Sequence, residues 1–321
     1  MTNYSSGTNE CANRGALSPP LGLSVHNANS PRAFARGYEP SAPFGANFKS
    51  SIIQAPLKAL CVFIVCCLTP QYAGAQPGSM TRQEAKSDAK PEIETETITL
   101  GSGEHKFSAY TAIPKSAKPG PAIILIHEWW GLNDWVKQQA DRFAAKGYVA
   151  IAPDLYHGEV AEDGEHAHEL MRGLADERAI ADMKSAFDYL ATHKSVDKKR
   201  IGIIGWCMGG GLALKLAIAE PKLACTVMCY GRPVIDVDQL KKIKGPLLGI
   251  WGATDRGIEV PPFEKALKEA GVKATHHIYP GAGHAFLNET NKRGYNADQA
   301  KKGWAEIDGF FTANLRSKSP M

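Results

Sequence analysis

Three residues in this chain have the types and the setting for acyl-transfer chemistry. Cys207 stands in G-I-I-G-W-C-M-G-G-G (202–211), where an apolar run gives way to a helical one. Gly205 and Gly209 bracket it in the G-x-nucleophile-x-G spacing of a sharp strand-to-helix turn, which needs small neighbours because the reactive residue's backbone is strained. A thiol attacks a carbonyl as thiolate, and an unperturbed cysteine with a pKa of about 8.5 is mostly protonated at neutral pH. It needs a base. His284, in Y-P-G-A-G-H-A-F, can take the thiol proton and later return it to the leaving group; Asp255, in W-G-A-T-D-R, can fix the imidazole tautomer and stabilise its cation. The structural alternatives are a buried inert thiol, a loop histidine bonded to backbone and a turn aspartate.

Nucleophile, acid and histidine follow one another in the order of the α/β-hydrolases. The chain resembles the dienelactone hydrolase (carboxymethylenebutenolidase) family of that superfamily from about residue 121 to about residue 311. The resemblance rests on H-E-W-W-G-L-N (127–133), A-P-D-L-Y-H-G (152–158), G-W-C-M-G-G (205–210), G-A-T-D (252–255) and G-A-G-H-A-F (281–286). It implies a hydrolase that cleaves an ester or lactone through a thioester on Cys207, with a Cys207, His284 and Asp255 triad and no cofactor. The elbow supplies the backbone N–H of Met208 as one oxyanion donor, and by position the N–H of Trp129 is the second. Trp130, beside it, roofs the site or fills core space.

Glu128 lies among large apolar residues, where a carboxylate is costly unless paired. An ion pair or a helix N-terminal contact would account for it. In the resembled family the glutamate at this position lies beside the thiol and takes part in its activation. The chain departs from the family where dienelactone's carboxylate is held by arginines: one position after the histidine is Asn288 here, and no arginine occurs between Tyr156 and Met171. Dienelactone would meet neither arginine here, and Arg232, Arg256 and Asn288 are the substrate-binding candidates. Two other readings use the same residues: a broad carboxylesterase or thioesterase, and a redox-sensing or ligand-binding protein on a hydrolase scaffold, for which an acid and a histidine would both be superfluous.

The 321 residues suit one α/β domain plus extra sequence, and a net charge of +4 gives no basic stripe for nucleic acid. Residues 1–58, rich in Asn, Ser, Gly and Pro, read as a disordered tail. Residues 59–75 carry a short apolar run and small residues at Ala73 and Ala75, the pattern of a signal peptide's apolar region and cleavage site, with a linker at 76–90. The reading is export to the periplasm or medium, with a cytoplasmic protein bearing an apolar patch as the alternative and no stable membrane span in the mature chain. Four of the seven cysteines (Cys11, Cys61, Cys66 and Cys67) fall in that removed part. Cys225 and Cys229, four apart on an expected strand and so about 13 Å distant, do not bridge. His157, His166 and His168 lie in a loop and helix start without a metal-ligand spacing, so no metal site is expected.

The hydrolase domain is expected over 91–316. A hairpin (93–100, 105–113) opens it, followed by strands at 122–127, 148–152, 200–206, 225–230, 246–251 and 275–279 alternating with helices at 133–146, 178–193, 208–219, 261–270 and 296–315. That alternation predicts a mainly parallel sheet with helices on both faces and a site beyond the strands' carboxyl ends. If 59–75 directs export, intact-mass measurement on protein from its native host finds a mature chain beginning near Gln76; a cytoplasmic product retaining the apolar run contradicts it.

Overall fold

The computed structural model describes residues 92–116 and 118–316. The expected tail, signal region and linker, with their four cysteines, lie outside the described residues. The domain is built on one eight-stranded sheet: β1 (Ile93–Leu100), β2 (Phe107–Pro114), β3 (Gly120–Ile126), β4 (Val149–Pro153), β5 (Val196–Trp206), β6 (Cys225–Cys229), β7 (Leu247–Gly252) and β8 (Ala274–Tyr279), in the order β1-β2-β4-β3-β5-β6-β7-β8. The β1–β2 hairpin joins antiparallel, and β2 pairs antiparallel with β4; every later pairing is parallel. Parallel strands buried on both faces read as continuous apolar runs, as in β3, β4, β6 and β7.

Seven helices connect and cover the strands: α1 (Asp134–Ala145), α2 (Gly164–Gly173), α3 (Asp176–Thr192), α4 (Met208–Ala219), α5 (Val237–Leu240), α6 (Val260–Glu269) and α7 (Ala297–Leu315). Helices α3 and α4 pack together against the sheet. Helices α1 and α7 pack together elsewhere on it, Phe143 edge-on to Phe311 at 5.6 Å and Arg142 bonded to Asp308 at 3.1 Å while stacking over Trp304. α4 is apolar on nearly every side because most of it is buried; its one charged residue, Lys215, reaches Asp176 on α3 at 2.6 Å.

The expected strands and helices match within a few residues, α5 is not among them, and three further differences are informative. α2 is expected only as a helix start: Ala167, Leu170 and Met171 do recur at helical spacing, but Ala167 alone is buried, and the Asp163 side chain caps the helix by accepting the His166 N–H at 2.9 Å. β5 begins at Val196 rather than 200 because Val196 pairs with Gly120 across a register irregularity, and the polar D-K-K-R stretch between, with Lys198 and Lys199 exposed, hides this extension in the sequence. The second strand starts at Phe107, after a 3-10 turn at Gly103–His105.

Connections leave β3 and β5 toward opposite edges of the sheet, so the carboxyl ends of these neighbouring strands flank the switch point where open α/β sheets form their ligand crevice. The β5–α4 turn there is tight. A Cβ on Gly205 would lie 2.0 Å from the Gly209 carbonyl oxygen, one on Gly209 would lie 2.4 Å from the carbonyl oxygens of Ile126 and His127, and one on Gly210 would lie 2.6 Å from that of Cys229. Backbone cannot yield as a flexible side chain can. Gly205→Ala is therefore expected to cost about 3 kcal/mol or more in urea unfolding, whereas Gly309→Ala, on an open stretch of α7, gains about 1 kcal/mol from helix propensity. Equal stability of the two variants would contradict this packing.

Candidate active site

Cys207 follows β5 and precedes the first residue of α4 with φ 56° and ψ −118°, a left-handed conformation that L side chains rarely adopt. The strain, on the order of 1–3 kcal/mol, is held by packing on both sides, including the Cys207 N–H bonded to the Cys229 carbonyl at 3.0 Å. Cys207 is partly exposed, while Cys225 and Cys229 are buried free thiols on β6 whose pKa values burial pushes up. Behind Cys207 runs the N-terminus of α4, whose first N–H groups lack intrahelical acceptors and favour negative charge.

His284 and Asp255 come from the loops after β8 and β7. Those loops are tied by Thr254, whose N–H and hydroxyl both donate to the Ala282 carbonyl, at 2.9 and 2.8 Å. Gly252 makes this approach possible, since a Cβ there would lie 2.4 Å from that same oxygen. His284 Nδ1 bonds Asp255 Oδ2 at 2.8 Å, and the imidazole and the Cys207 thiol line the same two cavities. The Asp255 side chain is 5% exposed and that of His284 43%. Burial pulls the imidazole's pKa down, but the hydrogen bonds and charges of Asp255 and Cys207 override it and push it up to about 10.

The loop after β3 forms the other wall. His127 is fully buried; its Nε2 accepts the Leu155 N–H at 3.2 Å, so Nδ1 carries the proton and donates to the Glu128 carbonyl at 2.6 Å. Burial lowers its pKa, in keeping with a neutral ring. The A-P-D-L-Y-H-G segment locks onto this loop. Asp154 accepts the N–H groups of Tyr156 and Gly158, at 3.2 and 2.7 Å, and the Tyr156 hydroxyl reaches both the Trp129 carbonyl and the Met208 sulfur at 3.2 Å. Tyr156 thus bridges the two residues whose N–H groups were expected to face an oxyanion. Neither Asp154 nor Tyr156 was singled out from the sequence, although both lie inside a quoted motif.

Glu128 is buried at 3% exposure. Its carboxyl accepts from Asn288 Nδ2 at 2.8 Å and from the Tyr230 hydroxyl at 3.3 Å. Burial pushes its pKa up, opposed by Asn288, by the charge of His284 and by Tyr230. The pairing expected for this carboxyl is therefore with neutral donors. Asn288 borders the site, but its amide is committed to Glu128. Tyr230 follows β6 with φ 37° and sets its ring edge-on to His284 at 5.2 Å; sequence reasoning missed it, since a tyrosine ending an apolar strand looks like core.

Two cavities meet at Cys207 and His284. One, of about 520 Å³, is lined by Tyr230, Arg232, Arg256 and apolar residues such as Leu212 and Val234. The other, of about 870 Å³, is lined by Glu128, Trp129, Trp130, His168, Asn288 and Arg293. The indoles of Trp129 and Trp130 meet edge-on at 4.9 Å, and His168 stands against Trp129 at 4.8 Å. The other two histidines of that region diverge, His157 to Asp182 at 2.8 Å and His166 to Glu159 at 3.6 Å.

The dienelactone hydrolase family model matches residues 107–315. The chain belongs to the dienelactone hydrolase family. It is a hydrolase that acts on esters, with the α/β-hydrolase fold. "Protein usf" of Aquifex pyrophilus is 35% identical over 65% of this chain and 94% of its own length. A Saccharolobus solfataricus relative named "Putative carboxymethylenebutenolidase" is 33% identical over 64% of this chain and 93% of its own. The crystal structure of a "Putative Dienelactone Hydrolase" from Klebsiella pneumoniae superposes with TM-score 0.64 at 29% identity, covering 69% of this chain and 99% of that one. Membership of this hydrolase family implies a small-molecule substrate. Among the described residues no helix is long and apolar enough to cross a membrane.

The raised pKa of His284 has a pH signature. A histidine whose folded pKa lies above its ordinary 6.5 contributes stability that is fully present below that value and lost as pH rises through about 10. NMR titration of the imidazole is expected to give a midpoint well above 6.5 that falls by about one unit or more in Asp255→Asn. Urea stability should then decline between pH 6.5 and 10 more in the wild type than in that variant. An ordinary midpoint in the wild type would contradict the pairing.

Proposed function

We propose that this chain hydrolyses an ester or lactone through a thioester on Cys207, with His284 as proton carrier and Asp255 as its orienting partner. The observation that carries this reading is one arrangement: a thiol on a strained strand-to-helix turn, an imidazole that lines the same two cavities, and the buried carboxylate 2.8 Å from that imidazole's Nδ1.

His284, its pKa pushed up to about 10, holds the thiol's proton at Nε2 as an imidazolium beside the Cys207 thiolate, while its Nδ1–H donates to Asp255. The Cys207 sulfur attacks the carbonyl carbon, and the oxygen's charge is received by the N–H groups of Met208 and Trp129, with the α4 N-terminus adding favourable potential. Collapse expels the alcohol, which leaves with the proton from His284. Water then gives a proton to His284 and attacks the thioester, and the acid departs as the thiolate is released beside the imidazolium. Glu128 is the group we assign to thiol activation when substrate fills the larger cavity, since it lines that cavity together with Cys207 and His284.

The substrate straddles Cys207, with one branch toward Arg232 and Arg256 and the other in the larger cavity that Trp129 and Trp130 line. Neither arginine forms an ion pair among the described residues, so each can meet a substrate carboxylate or carbonyl. Two compartments on either side of the sulfur also favour the broader carboxylesterase reading over a dedicated small-lactone enzyme. A panel of lactones and aryl esters separates these, with Arg232→Ala and Arg256→Ala raising KM for anionic members only.

The mechanism predicts that Cys207→Ala and His284→Ala each lower kcat by about 10⁴-fold or more with native circular dichroism, and that Asp255→Asn costs less. Combining two of these changes should cost little beyond the larger single loss, because the three act as a unit. Turnover at the wild-type rate in either alanine variant would end the assignment.

A further inference from the structure

The manner in which Glu128 is held differs from an ordinary buried ion pair. Each carboxyl oxygen has one neutral donor: Asn288 Nδ2 on Oε2 at 2.8 Å and the Tyr230 hydroxyl on Oε1 at 3.3 Å. Asn288 cannot turn its amide round, because its Oδ1 accepts both the N–H and the hydroxyl of Thr290, at 2.9 and 2.7 Å. Those two bonds require an acceptor there and leave the NH₂ group facing Glu128. Tyr230 is equally fixed. It is fully buried, its N–H bonds the Ile250 carbonyl at 2.6 Å, and its ring edge rests on His284.

The titratable groups facing Glu128 are few. From the end of β6 come the Cys229 thiol and the Tyr230 phenol, and from the loop after β8 comes His284 beside the neutral Asn288. No lysine or arginine bonds to it among the described residues. Glu128 and Asn288 line the larger cavity and Tyr230 the smaller, so their hydrogen bonds lie in the partition between the two.

We propose that Asn288, oriented by Thr290, and Tyr230 are positioning residues that clamp Glu128 in this partition and set when it carries a proton. The inference rests on the proposed role for Glu128 but is tested apart from it. A cation at either donor position would hold the carboxyl ionised. Neutral donors fix its place yet oppose burial only in part, so the proton can be gained or lost as the neighbouring cavity fills. Each donor bonds best to the charged form, so removing either one favours the protonated acid and moves the titration to higher pH.

The experiment is a ¹³C NMR titration of the Glu128 carboxyl in the full chain, its signal identified by its absence in Glu128→Gln. Asn288→Leu and Tyr230→Phe are each expected to raise the midpoint by about one unit, and Thr290→Val by less, since the Thr290 N–H still orients Asn288. Tyr230→Phe removes a single oxygen and carries the test should Asn288→Leu fold poorly. Wild-type midpoints in both natively folded variants would overturn the clamp. In parallel, the pH profile of the acylation rate should move with the NMR midpoint and lose that dependence in Glu128→Gln. If the midpoints move while acylation keeps its wild-type profile in every variant, the clamp stands and the catalytic role of Glu128 falls.

Discussion

A left-handed cysteine at the end of a buried parallel strand is the constraint from which the rest of this site follows. Cys207 can hold φ 56° only because β5 and α4 close on it from both sides, and they can close only where Gly205, Gly209 and Gly210 carry no side chain. The same closeness lifts the sulfur clear of the sheet and puts an unfilled helix N-terminus behind it. The loops after β3, β7 and β8 then converge on that point because the sheet's parallel register delivers all their strands' carboxyl ends to one edge.

Polar groups buried around the sulfur are joined into two lines that serve different ends. His284 and Asp255 form a charged line in which a carboxylate and an imidazole support each other, the imidazole retaining access to solvent and substrate. Glu128, Asn288, Thr290 and Tyr230 form a second line that contains one ionisable carboxyl and otherwise neutral donors. His284 touches both, through Asp255 and through the Tyr230 ring. Cavities on either side of the sulfur give an ester room for an acyl and an alcohol portion at once.

The sequence displayed the elements whose physics is local. The parallel strands appear as apolar runs, the elbow as glycines at fixed offsets, and α4 as the helix that must follow. Cys207, His284 and Asp255 could be found because each ends a recognisable run. What stayed hidden depends on contacts across the chain. Tyr230 is 102 positions from Glu128 and Asn288 is 160, and no local pattern reports such a bond. Asn288 read as a substrate-binding candidate from its distance to the histidine, while the fold turns its amide to Glu128. Helix α2 is short and mostly exposed, yet its Ala167, Leu170 and Met171 stripe and its Asp163 cap were both local signals that sequence reasoning could have used.

Rapid-quench mass spectrometry of the enzyme mixed with excess activated ester, followed by peptide mapping, reads directly whether the strained elbow presents a nucleophile. The expected result is a transient mass increase equal to the acyl group, located on Cys207, removed by hydroxylamine and absent from Cys225 and Cys229. Steady turnover with no acyl adduct on Cys207 at any quench time, under conditions that make deacylation rate-limiting, would contradict it.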